Sequence, residues 1–128
     1  MAKVASGGET ARIMLALKTA LAKVDSTPTL IFDEIDTGIS GDVALKMGKI
    51  LGQLARQHQV ISITHTPQIA AKADRHYFVY KKIEGDRTKT QVRELSHQDR
   101  IVEIATMLSG NPPSPAAISN AEELLLNQ

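Results

Sequence analysis

The sequence predicts an α/β fold built on a parallel sheet core with helices, plus a hairpin and C-terminal helices. Three observations carry this. Two short, continuous apolar runs, Thr29-Leu30-Ile31-Phe32 and Val60-Ile61-Ser62-Ile63-Thr64, flank one amphipathic helix. The links between them are short, so they read as a βαβ unit, which makes the strands parallel and the crossover right-handed. Beyond His76 the period changes, and two strand-like runs face each other across a tight turn.

Residues 6–24 read as a helix. Ser6-Gly7-Gly8-Glu9 has the S-x-x-E form of a capping box. Ile13, Met14, Leu15, Leu17, Leu21 and Val24 lie on more than one face, so the helix is expected to be largely buried. Asp25-Ser26-Thr27-Pro28 breaks it, and the apolar run that follows is expected to be a strand buried on both faces. A turn at Gly38–Gly41 leads into a helix over about residues 41–57, where Val43, Met47, Ile50, Leu51 and Leu54 form one stripe. The second buried strand comes next, and Pro67 opens a short helix to about residue 73.

His76–Ile83 and Thr88–Leu95 read as a hairpin around Glu84-Gly85-Asp86-Arg87. Ile101, Ile104, Ala105 and Leu108 mark a further amphipathic helix, stopped by Gly110. Asn111-Pro112-Pro113 is a linker, and Ser114-Pro115 starts a last helix through about Asn127.

Composition removes several function classes. The 128 residues carry 15 Lys+Arg against 14 Asp+Glu, a net charge of +1, which argues against a dedicated polyelectrolyte binder. With no cysteine, disulfide scaffolds, thiolate chemistry and Cys-ligated zinc or Fe–S sites are excluded. Aromatic residues make up 3% with no Trp, too few for a single-strand stacking platform. No apolar run reaches the ~20 residues of a membrane helix, and the N-terminus is not a signal peptide. The expectation is a soluble, intracellular, globular chain.

Chemistry is expected at the strand tips. In open parallel sheets ligands bind beyond the carboxyl ends of the strands. The first strand ends in Asp33-Glu34 and the second leads to His65, so two carboxylates and an imidazole share one rim. Adjacent acids at an apolar strand tip repel and are poorly solvated, and a hard cation such as Mg²⁺ would relieve both. Asp33 would then hold the metal, while Glu34 orients or deprotonates an attacking water. Taken singly, each feature has a plainer reading: a solvated turn, a strand-end histidine bonded to backbone, a capped helix. Their order and spacing set them apart.

Ser6-Gly7-Gly8-Glu9 resembles the signature motif of ATP-binding-cassette ATPases, and Leu30-Ile31-Phe32-Asp33-Glu34 their Walker B strand with its catalytic Glu. Ile35-Asp36-Thr37-Gly38-Ile39-Ser40-Gly41 resembles the D-loop, and Ile63-Thr64-His65 the switch histidine. The finer wording, with Thr64-His65-Thr66-Pro67-Gln68-Ile69-Ala70-Ala71, is similar to the RecN family, bacterial SMC-like DNA-repair ATPases. The resemblance covers essentially the whole chain, as the C-terminal lobe of the ATPase head, the C-terminal half of a P-loop NTPase.

The resemblance implies a role for each of these residues. Asp33 would help bind Mg²⁺, Glu34 would be the general base, and His65 would contact the γ-phosphate of ATP. Ser6, Gly7, Gly8 and Glu9 would belong to the signature motif, which meets the nucleotide held by a second head across a head-to-head homodimer. Asp36 and Ser40 would lie at that dimer interface and couple the two sites. Such a protein would act in recombinational repair of DNA double-strand breaks, in the bacterial cytoplasm at the nucleoid, with no membrane partner.

The sequence also departs from the family. It has no G-x-x-x-x-G-K-[ST]; Gly48-Lys49 is followed by Ile50 inside the amphipathic helix. The expectation is therefore a piece of a longer protein, half of an active site that neither binds nor hydrolyses ATP well without the N-terminal Walker A lobe. A transporter cassette is disfavoured, because Ile35-Asp36-Thr37-Gly38 replaces the segment those proteins usually place after the Glu. Another SMC-type head and a non-catalytic interaction module remain as alternatives. Lys81, Lys82, Arg87, Lys89 and Arg93 cluster on the hairpin, where the plainer reading is an edge defended by charge rather than a DNA contact.

Overall fold

A computed structural model describes residues 7–24 and 26–127. In chain order the elements are α1 (Gly7–Val24), β1 (Thr29–Asp33), α2 (Gly41–Leu54), β2 (Gln59–Ile63), α3 (Pro67–Ala70), β3 (Tyr77–Glu84), β4 (Arg87–Glu94), α4 (His97–Ser109) and α5 (Pro115–Leu126). The chain divides into two compact units after Lys72.

In the first unit β1 and β2 pair in parallel with Leu30 opposite Val60 and Phe32 opposite Ser62. The expected βαβ unit is present. Alternation sends Phe32 inward, fully buried, into a core with Leu15 and Ala22 of α1, Ala44, Met47, Leu51 and Leu54 of α2, and Ile69 of α3. The other sheet face departs from expectation. Ile31 is 57% exposed, Ile61 45% and Ile63 50%. These runs read as strands buried on both faces, yet the helix layer covers one face, and among the described residues nothing covers the second.

Helix α1 shows the same asymmetry. It was expected to be largely buried, but Leu15 and Ala22 meet the core while Met14, Leu17 and Leu21 are exposed. The capping-box contacts expected of Ser6 and Glu9 fall outside what the structure describes. Helix α2 starts as its sequence dictates: Ser40 is the N-cap, its Oγ accepting from the Val43 N–H at 3.4 Å, with Asp42 in the first turn. It ends at Leu54, short of the expected residue 57, and tightens into i→i−3 bonds from Arg56 and Gln57. Gly48 is buried where α2 crosses α3, and a Cβ there would come within 3.0 Å of Lys72 Cγ. Gly48 thus serves helix packing, while Lys49 is exposed.

The second unit pairs β3 and β4 antiparallel around Gly85-Asp86. Gly85 has φ +61° and supplies the left-handed residue that a two-residue hairpin turn needs. Ser96 caps α4 and Ser114 caps α5, with Pro115 in the first turn. Gly110, at φ +88°, ends α4. The two helices pack on each other, burying Ile104, Ala105, Ala117 and Ala121. Arg100 is buried as well, its Nη2 donating to the Ala73 carbonyl at 2.9 Å. No helix among the described residues is long and apolar enough to cross a membrane.

Candidate functional site

The parallel register fixes the rim. Asp33 is the last residue of β1, paired with Ile63 at the end of β2. One residue further, the Glu34 N–H still donates to the Ile63 carbonyl at 2.9 Å. The chain then turns sharply. Glu34 has φ +50°, the one non-glycine residue in the left-handed region among those described. An L-residue held there is disfavoured by about 1–2 kcal/mol. Strain of this kind persists only where the surroundings impose it, and it gathers at functional sites. Here the Ile63 bond holds the amide, and Thr37 Oγ1 donates to the Glu34 carbonyl at 3.1 Å. The Asp33 and Glu34 side chains are left exposed at the tip.

Asp36, expected at an interface with a second head, has only 3% of its surface exposed within its own chain. Its Oδ2 accepts a short hydrogen bond from Thr64 Oγ1. Oδ1 is buried with no partner among the described residues. A buried carboxylate oxygen left unpaired is unfavourable by roughly 1–3 kcal/mol. Thr64 Oγ1 in turn accepts from the Thr66 N–H at 3.0 Å. Between these two threonines stands His65, exposed, just past the end of β2. Ser40 is exposed and acts as the α2 N-cap.

The structure therefore brings Asp33, Glu34, Asp36 and His65 to one end of the strand pair. Gly7 and Gly8 open α1, while Ser6 lies outside the described residues. Among the described residues no three His, Asp or Glu side chains gather in a way that could hold a metal ion. A groove of about 510 Å³ in this unit, floored by Leu15, Val43, Met47 and Ile50 and edged by Arg12 and Lys46, contains none of the strand-tip residues. Sequence reasoning gave Thr64 and Thr66 no role of their own. The available signal was a hydroxyl on each side of a histidine directly after an apolar strand.

Four of the five basic hairpin residues share one face. Register puts Lys82, Arg87, Lys89 and Arg93 on one face and Lys81 on the other. Lys89 pairs with Glu84 at 2.9 Å, and Arg93 reaches both Asp99, at 3.3 Å, and the Phe78 ring.

No family model matches the chain. Curated relatives do. The chain is 50% identical over 123 residues to the DNA repair protein RecN of Rickettsia conorii, covering 96% of this chain and 23% of the relative. To RecN of Deinococcus radiodurans it is 48% identical over 125 residues, covering 98% and 22%. To RecN of Streptomyces coelicolor the figure is 45%, over the same shares. The chain thus spans less than a quarter of the length of the relatives it matches. Among solved structures it is similar to a chain from work on ATP-driven dimerization and DNA-stimulated activation of SMC ATPases. That match has a TM-score of 0.60 and 26% identity, covering 76% of this chain and 58% of the other. The expected resemblance to RecN and the expected SMC-type α/β fold are both borne out.

Proposed function

We propose that this chain, similar to RecN along nearly its whole length, is the C-terminal lobe of a RecN-type ATPase head and supplies half of an ATP-hydrolysing site. The observation that carries this is Glu34. It directly follows Asp33 at the tip of a parallel strand, and its strained backbone is locked to β2 while its carboxylate stays free. A carboxylate free of partners beside a metal-binding Asp is what a general base for water needs.

In this reading Glu34 takes the proton of the attacking water, and His65 hydrogen-bonds the γ-phosphate. Asp33 holds Mg²⁺, which when bound offsets the charge of the phosphates. Asp33 suits such an ion. It is one exposed carboxylate with no three-ligand cluster around it, and Mg²⁺ favours one or two carboxylates with phosphate and water completing its shell. Ser6, Gly7, Gly8 and Glu9 serve the nucleotide of a second head in a homodimer. Ser40 starts the helix beneath that interface. The Walker A loop comes from the N-terminal lobe, since this sequence contains no G-x-x-x-x-G-K-[ST]. The whole protein acts in the bacterial cytoplasm on double-strand breaks, using ATP turnover to open and close paired heads.

The test is reconstitution with the Walker A lobe of a RecN relative. Mg-ATP turnover should appear only in the mixture, and Glu34→Gln should lower kcat by about 10²–10⁴-fold. Turnover unaffected by Glu34→Gln overturns the assignment.

A further inference from the structure

The geometry points to Thr64 as a positioning residue: with Asp36 it fixes the loop that presents His65, and so ties His65 to the turn that carries Glu34. The inference rests on the ATPase reading above and adds to it a residue and a linkage within one chain.

The parallel ladder ends at Ile63, so residues 64–66 have no strand partner to hold their backbone. The imidazole of His65 is exposed, and no hydrogen bond to it exists among the described residues. Its placement therefore follows from the backbone on either side. Both flanks meet at one hydroxyl. Thr64 Oγ1 donates to Asp36 Oδ2 and accepts from the Thr66 N–H. The acceptor is a carboxylate, which makes the first bond stronger than one between neutral groups. Asp36 is itself buried in the turn between Glu34 and Gly38, where its carbonyl accepts from the Ile39 N–H at 3.5 Å.

The turn after β1 and the loop after β2 are consequently bound twice. The Glu34 N–H to Ile63 carbonyl bond joins their backbones, and the Asp36–Thr64 bond joins their side chains. Displacing residues 34–38 would carry the base and the phosphate-contacting histidine together. A signal reaching the D-loop-like segment would thereby switch both groups at once.

The experiment compares Thr64→Val, which keeps shape and removes the hydroxyl, with Thr64→Ser, which keeps the hydroxyl. In the chain itself, Thr64→Val should raise amide exchange at Thr66 about tenfold and shift the His65 ring resonances, and Thr64→Ser should leave both near wild type. Asp36→Asn, which keeps an acceptor and drops the charge, should move the same signals by less. Unchanged Thr66 exchange and unchanged His65 resonances in both Thr64→Val and Asp36→Asn overturn the inference, and Asp36→Asn decides it should Thr64→Val not fold. In the reconstituted head, Thr64→Val should lower kcat about tenfold with KM for ATP nearly constant, as a misplaced group does. Full kcat in Thr64→Val, alongside loss in His65→Ala, also overturns it. Full turnover in Glu34→Gln instead brings down the ATPase reading, and the exchange and resonance data still decide the linkage.

Discussion

The two strand pairs of this chain hold their polar groups in opposite ways. At the tip of β1–β2 the polar groups are fixed by backbone bonds and a buried carboxylate: Glu34 to Ile63, and Asp36 to Thr64. On β3–β4 the charges are held by one another on an open surface, as in Glu84–Lys89 and Arg93–Asp99. Both are two-stranded and both carry apolar residues in the open. Only the first places a non-glycine residue in the left-handed region and joins a buried carboxylate to the loop after its neighbouring strand, which is how a structure keeps groups in one geometry. Under the function proposed above, the difference separates a rim that holds its polar groups in place from a hairpin whose charges are solvated.

The largest effect should come from the floor of the rim. Phe32 is wholly buried one residue before Asp33, and Phe32→Ala should destabilise the chain by about 3–5 kcal/mol in urea unfolding. A loss below about 1 kcal/mol would mean that the core does not support the rim. Glu34 offers the sharper contrast. Glu34→Gly relieves the left-handed strain, worth about 1–2 kcal/mol, against about 0.5–1 kcal/mol of backbone entropy gained by the unfolded glycine chain. The variant should therefore be as stable as wild type or up to about 1.5 kcal/mol more so, although it loses the carboxylate proposed as the base. A clear destabilisation would show that the Glu34 side chain serves the fold.

Most of this was legible in the sequence, for a physical reason in each case. The βαβ unit was readable because short apolar runs and a single stripe have few alternative packings. The start of the last helix was readable because Ser114 satisfies a free amide locally; the caps Ser40 and Ser96 are seen only in the structure. What misled was burial. Ile31, Ile61, Ile63 and the second stripe of α1 read as core, since apolarity in sequence records that a face suits cover, not what supplies it. The linkage through Thr64 was hidden for a different reason: residues 36 and 64 meet only through the register of two strands, and a threonine's partner has no local signature.

In the second unit His76 tests how much polarity the hairpin side buries. Burial first, and then the charge of Arg100, lower its pKa from the ordinary 6.5, and its Nδ1 has no hydrogen-bond partner among the described residues. Between the lowered folded value and 6.5 the unfolded chain binds more protons, so stability rises with pH. The stabilisation is complete above about 6.5 and is lost as pH falls toward the folded value. Unfolding midpoints should drop between about pH 7.5 and pH 5.5, and His76→Gln should flatten that segment of the profile. An equal drop in the variant would place the titration on another group.

The smallest effect is expected where the charges are most numerous. Lys89 Nζ lies 2.9 Å from Glu84 Oε2, with the two side chains 57% and 44% exposed. Such a pair gains little in water, because solvent screens it and two long side chains must be ordered to make it. Lys89→Ala should change stability by no more than about 0.5 kcal/mol, with the difference fading as salt is raised. A loss several times larger, insensitive to salt, would mean that the hairpin holds its charges as firmly as the rim holds Asp36. The distinction between the two strand pairs would then fail on its own terms, because it requires that removing a partner be felt only where the partner is buried.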